Sequence, residues 1–117
     1  MYHYNAKVLE VLDGDTIKLL IDLGFKIQYE ITVRLNGINC AEKNTELGRK
    51  TKEFVQNLLP VDLSIEVVTY KPEKYGRMLA DIILADKQTL NKILVDKNLA
   101  APYDGKDKKE NHIPKEQ

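Results

Sequence analysis

The sequence predicts a mainly β domain with helices, a five-stranded OB-fold barrel in the order β-β-β-α-β-β-α. Apolar and polar residues alternate in three successive segments of the first third and in two more beyond residue 60, the two-residue period of half-buried strands. Between them lies a stretch whose apolar residues recur at helical spacing. Three meandering strands, a helix and two further strands leave little room in 117 residues for a second architecture.

The opening strand runs from Val8 to Leu12. Asp13-Gly14 follows and reads as a hairpin turn, because both residues tolerate positive φ. In the second strand, Thr16 to Asp22, Ile17, Leu19 and Ile21 face away from Thr16, Lys18, Leu20 and Asp22. Leu23-Gly24-Phe25 turns the chain into the third strand, Ile27 to Leu35. There Ile27, Tyr29, Ile31, Val33 and Leu35 oppose Gln28, Glu30, Thr32 and Arg34. Leu47, Thr51, Phe54, Val55 and Leu58 form one helical stripe, capped by Asn44 or Thr45 and ended by Pro60. Gly48 in the first turn is unfavourable to that helix. Leu63, Ile65 and Val67 mark the fourth strand; beyond a loop containing Pro72, Met78, Ala80, Ile82 and Leu84 mark a fifth opened by Arg77. Leu90, Ile93 and Leu94 predict a short second helix. One domain is expected over residues 1–103, with 104–117 a polar, flexible tail.

Composition removes several classes of function. The chain is 43% hydrophobic and 31% charged, unlike a disordered tail or a membrane protein. Eighteen basic and eighteen acidic side chains cancel, so contact with nucleic acid has to come from a local cluster, alone or with a metal. Cys40 is the single cysteine, which excludes an intramolecular disulfide and a multi-cysteine zinc site. No run approaches the roughly 20 apolar residues of a membrane span. The first seven residues lack the layout of a signal peptide, so the expected location is cytoplasmic, or the host cytoplasm for a phage-encoded chain.

Four segments are unusual for a plain core: Asp13-Gly14-Asp15-Thr16; Arg34 through Glu42; Lys74-Tyr75-Gly76-Arg77; and Leu99 through Gly105. Taken singly they are a turn, surface charges, a basic turn and a satellite aromatic. Their strand positions suggest more. Asp15 starts the second strand, Arg34 lies on the polar face of the third, Glu42 leaves the third through a short loop, and Arg77 begins the fifth. OB barrels bind nucleic acid over strands two and three.

In this order the segments resemble the staphylococcal nuclease (thermonuclease) family, whose pattern is Asp-Gly-Asp-Thr, Arg-Leu-x-x-x-Asp-x-Pro-Glu and Lys-Tyr-Gly-Arg. The resemblance extends from about Ala6 to Tyr103, and two of the three arginines, Arg34 and Arg77, fall on phosphate-binding positions. The Leu-Ala-Ala-Pro-Tyr-Asp-Gly ending looks like that of compact bacterial and phage members. The resemblance implies a Ca2+ ion held by Asp15, Asn39 and the carbonyl of Cys40, and Glu42 as general base on water. It implies a phosphate clamped by Arg34 and Arg77, with Lys74, Tyr75 and Tyr103 around the terminal phosphate and base. The implied reaction cleaves DNA or RNA, preferably single-stranded or frayed, leaving 3′-phosphate and 5′-hydroxyl ends. No membrane or protein partner is implied.

Three departures from the family pattern carry expectations. Asn39 replaces an aspartate ligand and removes one negative charge, which predicts weaker calcium binding and a need for millimolar metal. Ala41 replaces a proline, which predicts a looser loop under Glu42. The C-terminal helix of longer members is absent. The alternative to a nuclease is a catalytically weakened or inactive OB-fold module that binds nucleic acid or protein, and a third reading is a scaffold domain. Glu42 favours the enzyme, since a carboxylate beside phosphate repels it unless a cation or a chemical role compensates.

Overall fold

The computed structural model describes residues 2–72 and 77–103. In chain order the elements are β1 (Tyr2–Asp13), β2 (Thr16–Asp22), β3 (Gln28–Leu35), β4 (Ile38–Cys40), α1 (Glu46–Leu58), β5 (Ser64–Pro72), β6 (Met78–Ile83), α2 (Leu90–Asp96) and β7 (Ala100–Pro102). Five of these strands close a barrel in the order β1-β2-β3-β6-β5. The β3–β6 seam is parallel, with Val33, Arg34 and Leu35 opposite Met78, Leu79 and Ala80, and the other seams are antiparallel. This is the expected OB-like barrel.

The barrel forms where the two-residue alternation places its apolar set inside. Val8, Ile17, Leu19, Val33, Leu35, Val67, Ala80 and Ile82 are all fully buried. Val55 and Thr51 of α1, and Leu90 and Leu94 of α2, complete the core. Each large aliphatic side chain so buried contributes roughly 1.5–3 kcal/mol. Thr45 caps α1 by accepting from the Gly48 N–H at 3.0 Å, and Thr89 caps α2 by accepting from Lys92 at 3.2 Å. Neither helix is long and apolar enough to cross a membrane.

Several local expectations change. β1 begins at Tyr2 rather than Val8, because Tyr2–Lys7 pair with Thr69–Ser64 of β5. The first hairpin has Asp13 paired to Thr16 across Gly14 and Asp15, and neither loop residue has positive φ. Gly14 serves close packing instead: a Cβ there would lie 2.7 Å from Thr51 Cγ2 and 3.3 Å from Cys40 Sγ. β3 keeps Val33 and Leu35 buried, but Tyr29 emerges at its start. Glu42 follows β4 rather than β3, and Arg77 stands just before β6. The sequence reading missed the β4–β7 sheet, in which Ile38, Asn39 and Cys40 pair with Pro102, Ala101 and Ala100. Lys74, Tyr75, the tail and the question of a C-terminal helix lie outside the described residues.

Candidate active site

The site grows from the tight turn between β1 and β2. Asp15 leaves that turn only 7% exposed, and its backbone carbonyl accepts from Leu35 N at 2.9 Å, locking the turn onto β3. Its Oδ1 accepts from the Thr16 hydroxyl at 3.1 Å and its Oδ2 from the Cys40 amide at 3.1 Å. Arg34, opposite Thr16 in the β2–β3 register, brings Nη2 to 3.6 Å from the same Oδ2. A buried carboxylate is tolerated because it is paired and hydrogen-bonded.

The same Arg34 Nη2 donates to Asn39 Oδ1 at 2.8 Å, so the Asp15 carboxylate and the Asn39 amide oxygen converge on one nitrogen. Asn39 is held there by β4 pairing with β7. Tyr103, one residue beyond β7, donates its N–H to Gly37 O at 2.8 Å. Its ring lies under the Arg34 guanidinium, 5.6 Å from centroid to Cζ, a cation–π distance. Three predicted site residues, Asp15, Arg34 and Asn39, are thereby joined directly, with the Cys40 amide on Asp15 and Tyr103 on Arg34.

Glu42 is exposed, beyond β4, and the packing of its backbone is unusual. Its carbonyl accepts both the Thr45 N–H at 3.0 Å and the Thr45 hydroxyl at 2.7 Å. A Cβ at Gly48 would lie 1.8 Å from that carbonyl oxygen. Gly48, unfavourable to the helix as a sequence feature, is therefore what lets the Glu42 segment lie against the first turn of α1. Arg77 is half-buried and precedes Met78, the partner of Val33. Extending that register places it opposite Thr32, two residues from Arg34.

Burial, reinforced by the nearby Asp15 and Asp13 charges, pushes the Cys40 thiol far above its ordinary range. Cys40 is therefore a protonated, packed side chain rather than a nucleophile. Burial also raises the Asp13 carboxyl, against the lowering effect of its hydrogen bond from Gly14 N–H.

Asn91 is a supporting residue that the sequence reading missed. It is 7% exposed on α2. Its Nδ2 donates to Asn36 O at 2.8 Å, Ala80 O at 3.2 Å and Asp81 Oδ1 at 3.1 Å, while its Oδ1 accepts from Ile82 N at 3.3 Å. It ties α2 and β6 to the turn that launches β4. Its signal was a polar residue next to Leu90 on the core-facing side of a short helix.

Oxygen donors suit a hard cation, and the Asp15 carboxylate and Asn39 amide oxygen that meet here fit calcium in kind. Among the described residues there is no group of three or more His, Cys, Asp or Glu side chains that could hold a metal. A cation bound here would therefore rely on neutral donors as well as carboxylate.

The closed five-stranded barrel is OB-like, and a buried carboxylate, an amide oxygen and a guanidinium converge beside the start of β2. Residues 32–117 match the family described as staphylococcal nuclease homologue, and the chain belongs to that family. The chain is 27% identical over 100 residues to a protein of Escherichia coli O157:H7 named an uncharacterized endonuclease, covering 86% of this chain and 61% of that protein. A Haemophilus influenzae protein of the same name is 29% identical over 98 residues, covering 84% and 52%. The chain thus spans between half and two thirds of the length of these relatives.

Proposed function

We propose that this chain is a nuclease that hydrolyses phosphodiester bonds of DNA or RNA with Ca2+, leaving 3′-phosphate and 5′-hydroxyl ends. The observation that carries the reading is the convergence of Asp15 and Asn39 oxygens on Arg34 in a chain of this family. Asp15, Asn39 and the carbonyl of Cys40 are the groups that would hold the cation, which would supply positive charge to offset that of the phosphate. Arg34 and Arg77 present forked donors to the phosphate, a geometry that lysine lacks. Glu42 takes a proton from water as the water oxygen bonds to phosphorus. The bond from phosphorus to the 5′-oxygen breaks, and that oxygen leaves as a hydroxyl after gaining a proton from solvent water. Tyr103 stacks on Arg34 and orients its fork; Lys74 and Tyr75 belong to the same proposal through the family pattern. Asn39, with one charge fewer than aspartate, sets the calcium requirement in the millimolar range.

The test is cleavage of a single-stranded oligonucleotide across a calcium series, with product ends resolved. Glu42→Gln is expected to lower kcat on the order of 10²–10⁴-fold, and chelation to abolish cleavage. A wild-type chain that binds the oligonucleotide but leaves it intact at every calcium concentration would favour the binding-module reading that Asn39 suggests.

A further inference from the structure

We propose that the open end of the barrel is a base-stacking subsite for the single strand flanking the cleaved phosphate, built from Tyr2, Tyr4, Tyr29 and Tyr70. The inference rests on the nuclease reading and extends it to a surface lined by none of the described site residues. The start of β1, the ends of β2 and β5 and the starts of β3 and β6 meet there around a groove of about 530 Å³, within the roughly 300–1,000 Å³ of ligand clefts. Four of the chain's six tyrosines line it, with no charged side chain among the described residues of the lining.

The alternation of β1 and β3 explains why this end differs from the core. Tyr4 follows the inward face of Ala6 and Val8, and Tyr29 that of Ile31 and Val33. The face therefore changes from aliphatic to tyrosine where it leaves the core. A barrel plug needs buried aliphatic side chains, whereas Tyr2 is 70% and Tyr29 56% exposed. The Tyr2 and Tyr4 rings stand 6.4 Å apart at 31°, and Tyr70 is oriented by donating its hydroxyl to Asp81 at 2.6 Å. The exposed Tyr2 and Tyr29 rings, beside the half-buried Tyr4 and a Tyr70 whose hydroxyl is bound to the Asp81 carboxylate, suit nucleobases, whose stacking on aromatic side chains is insensitive to sequence.

Continuity with the phosphate site selects nucleic acid over a protein occupant. Met78 lines the groove and directly follows Arg77; Ile31 and Tyr29 line it three and five residues before Arg34 on β3. At about 3.3 Å per residue those positions lie ~10–17 Å from Arg34, the reach of a few nucleotides. A strand whose phosphate rests on Arg34 and Arg77 crosses the rim at Met78 into the tyrosines.

The test uses the full chain carrying Glu42→Gln, so that substrate persists, with and without Tyr2→Ser and Tyr29→Ser, two exposed positions where folding is insensitive. Calcium-dependent binding of a fluorescent thymidine trinucleotide and dodecamer is measured by anisotropy, alongside oligomeric state by sedimentation. The expected result is a gain in affinity from trinucleotide to dodecamer that collapses roughly tenfold in the serine variants and is retained in Tyr29→Phe. An unchanged length dependence in the serine variants overturns the subsite alone. So does a dimer that those variants dissolve with binding unaffected, which would make the groove a contact between copies. A chain that binds neither oligonucleotide, and whose Glu42 form cleaves none, overturns the nuclease reading and the subsite with it.

Discussion

The two ends of β2 are built on opposite terms. At its start, Gly14 and Asp15 make a two-residue turn without positive φ, pressed against α1 and β4 and tied to β3. At its end, Gly24, Phe25 and Lys26 take φ of 83°, 54° and 62°, and Phe25 is 97% exposed. The first turn is determined by what packs on it, and so it can hold a buried carboxylate in one position. The second is held by local bonds alone, Leu23 N to Ile27 O at 2.9 Å and Ile27 N to Gly24 O at 2.8 Å. Two non-glycine residues in the left-handed region there cost roughly 1–2 kcal/mol each. The candidate site lies at the end where tertiary contacts over-determine the backbone.

The comparison breaks first at Gly48. In an ordinary helix Gly→Ala stabilises by about 1 kcal/mol, but here the methyl would lie 1.8 Å from the Glu42 carbonyl. Gly48→Ala is expected to cost about 3 kcal/mol in urea denaturation and to lower kcat roughly 10²-fold by displacing the Glu42 segment. Equal or higher stability would show that the segment yields freely and is not locked.

Gly14→Ala probes the packed turn itself. Its methyl meets Thr51 Cγ2 at 2.7 Å, and a loss of about 1–2 kcal/mol is expected. Thr51→Ser removes that methyl and keeps the hydroxyl that donates to Leu47 O at 2.8 Å, so the double variant should recover most of the loss. A double variant no better than Gly14→Ala would place the strain in the turn's backbone.

At the open end the signs reverse. Lys26→Gly relieves a left-handed residue, and after the entropy that glycine adds to the unfolded chain it should stabilise by about 0.5 kcal/mol. Thermal unfolding that shows destabilisation would mean the Lys26 side chain makes a contact of value.

Tyr70 has the smallest expected effect. Its hydrogen bond to Asp81, aided by burial, raises the phenol from 10.0 to about 12. The protonated phenol is the bonded form, so its contribution is complete below pH 10 and is lost as pH rises through about 12. The pair is only partly buried, so Tyr70→Phe should cost no more than about 0.5 kcal/mol at neutral pH. The difference from wild type should vanish in that alkaline window. A difference that persists there would assign it to packing of the ring.

Strand faces, helix stripes and the capping threonine were legible in the sequence, because each depends on residues within one or two turns of chain. Arg34 could be placed on the strand beside β2 for the same reason, since hairpin register follows from alternation, whereas Asp15, read as the start of β2, lies in the turn before it. The order of the motifs carried the family, which short-range pattern alone could not. What only the folded chain decided is long-range. β4 and β7 pair residues 60 to 64 positions apart, and three-residue strands are too short for any period to announce. Gly14 and Gly48 look like a turn former and a helix weakener until α1 and the Glu42 carbonyl are set against them. Asn39 gained its place through that same short sheet, which brings a neutral oxygen to the guanidinium that also holds Asp15. Local pattern determined which face each residue takes; only tertiary packing determined which faces meet.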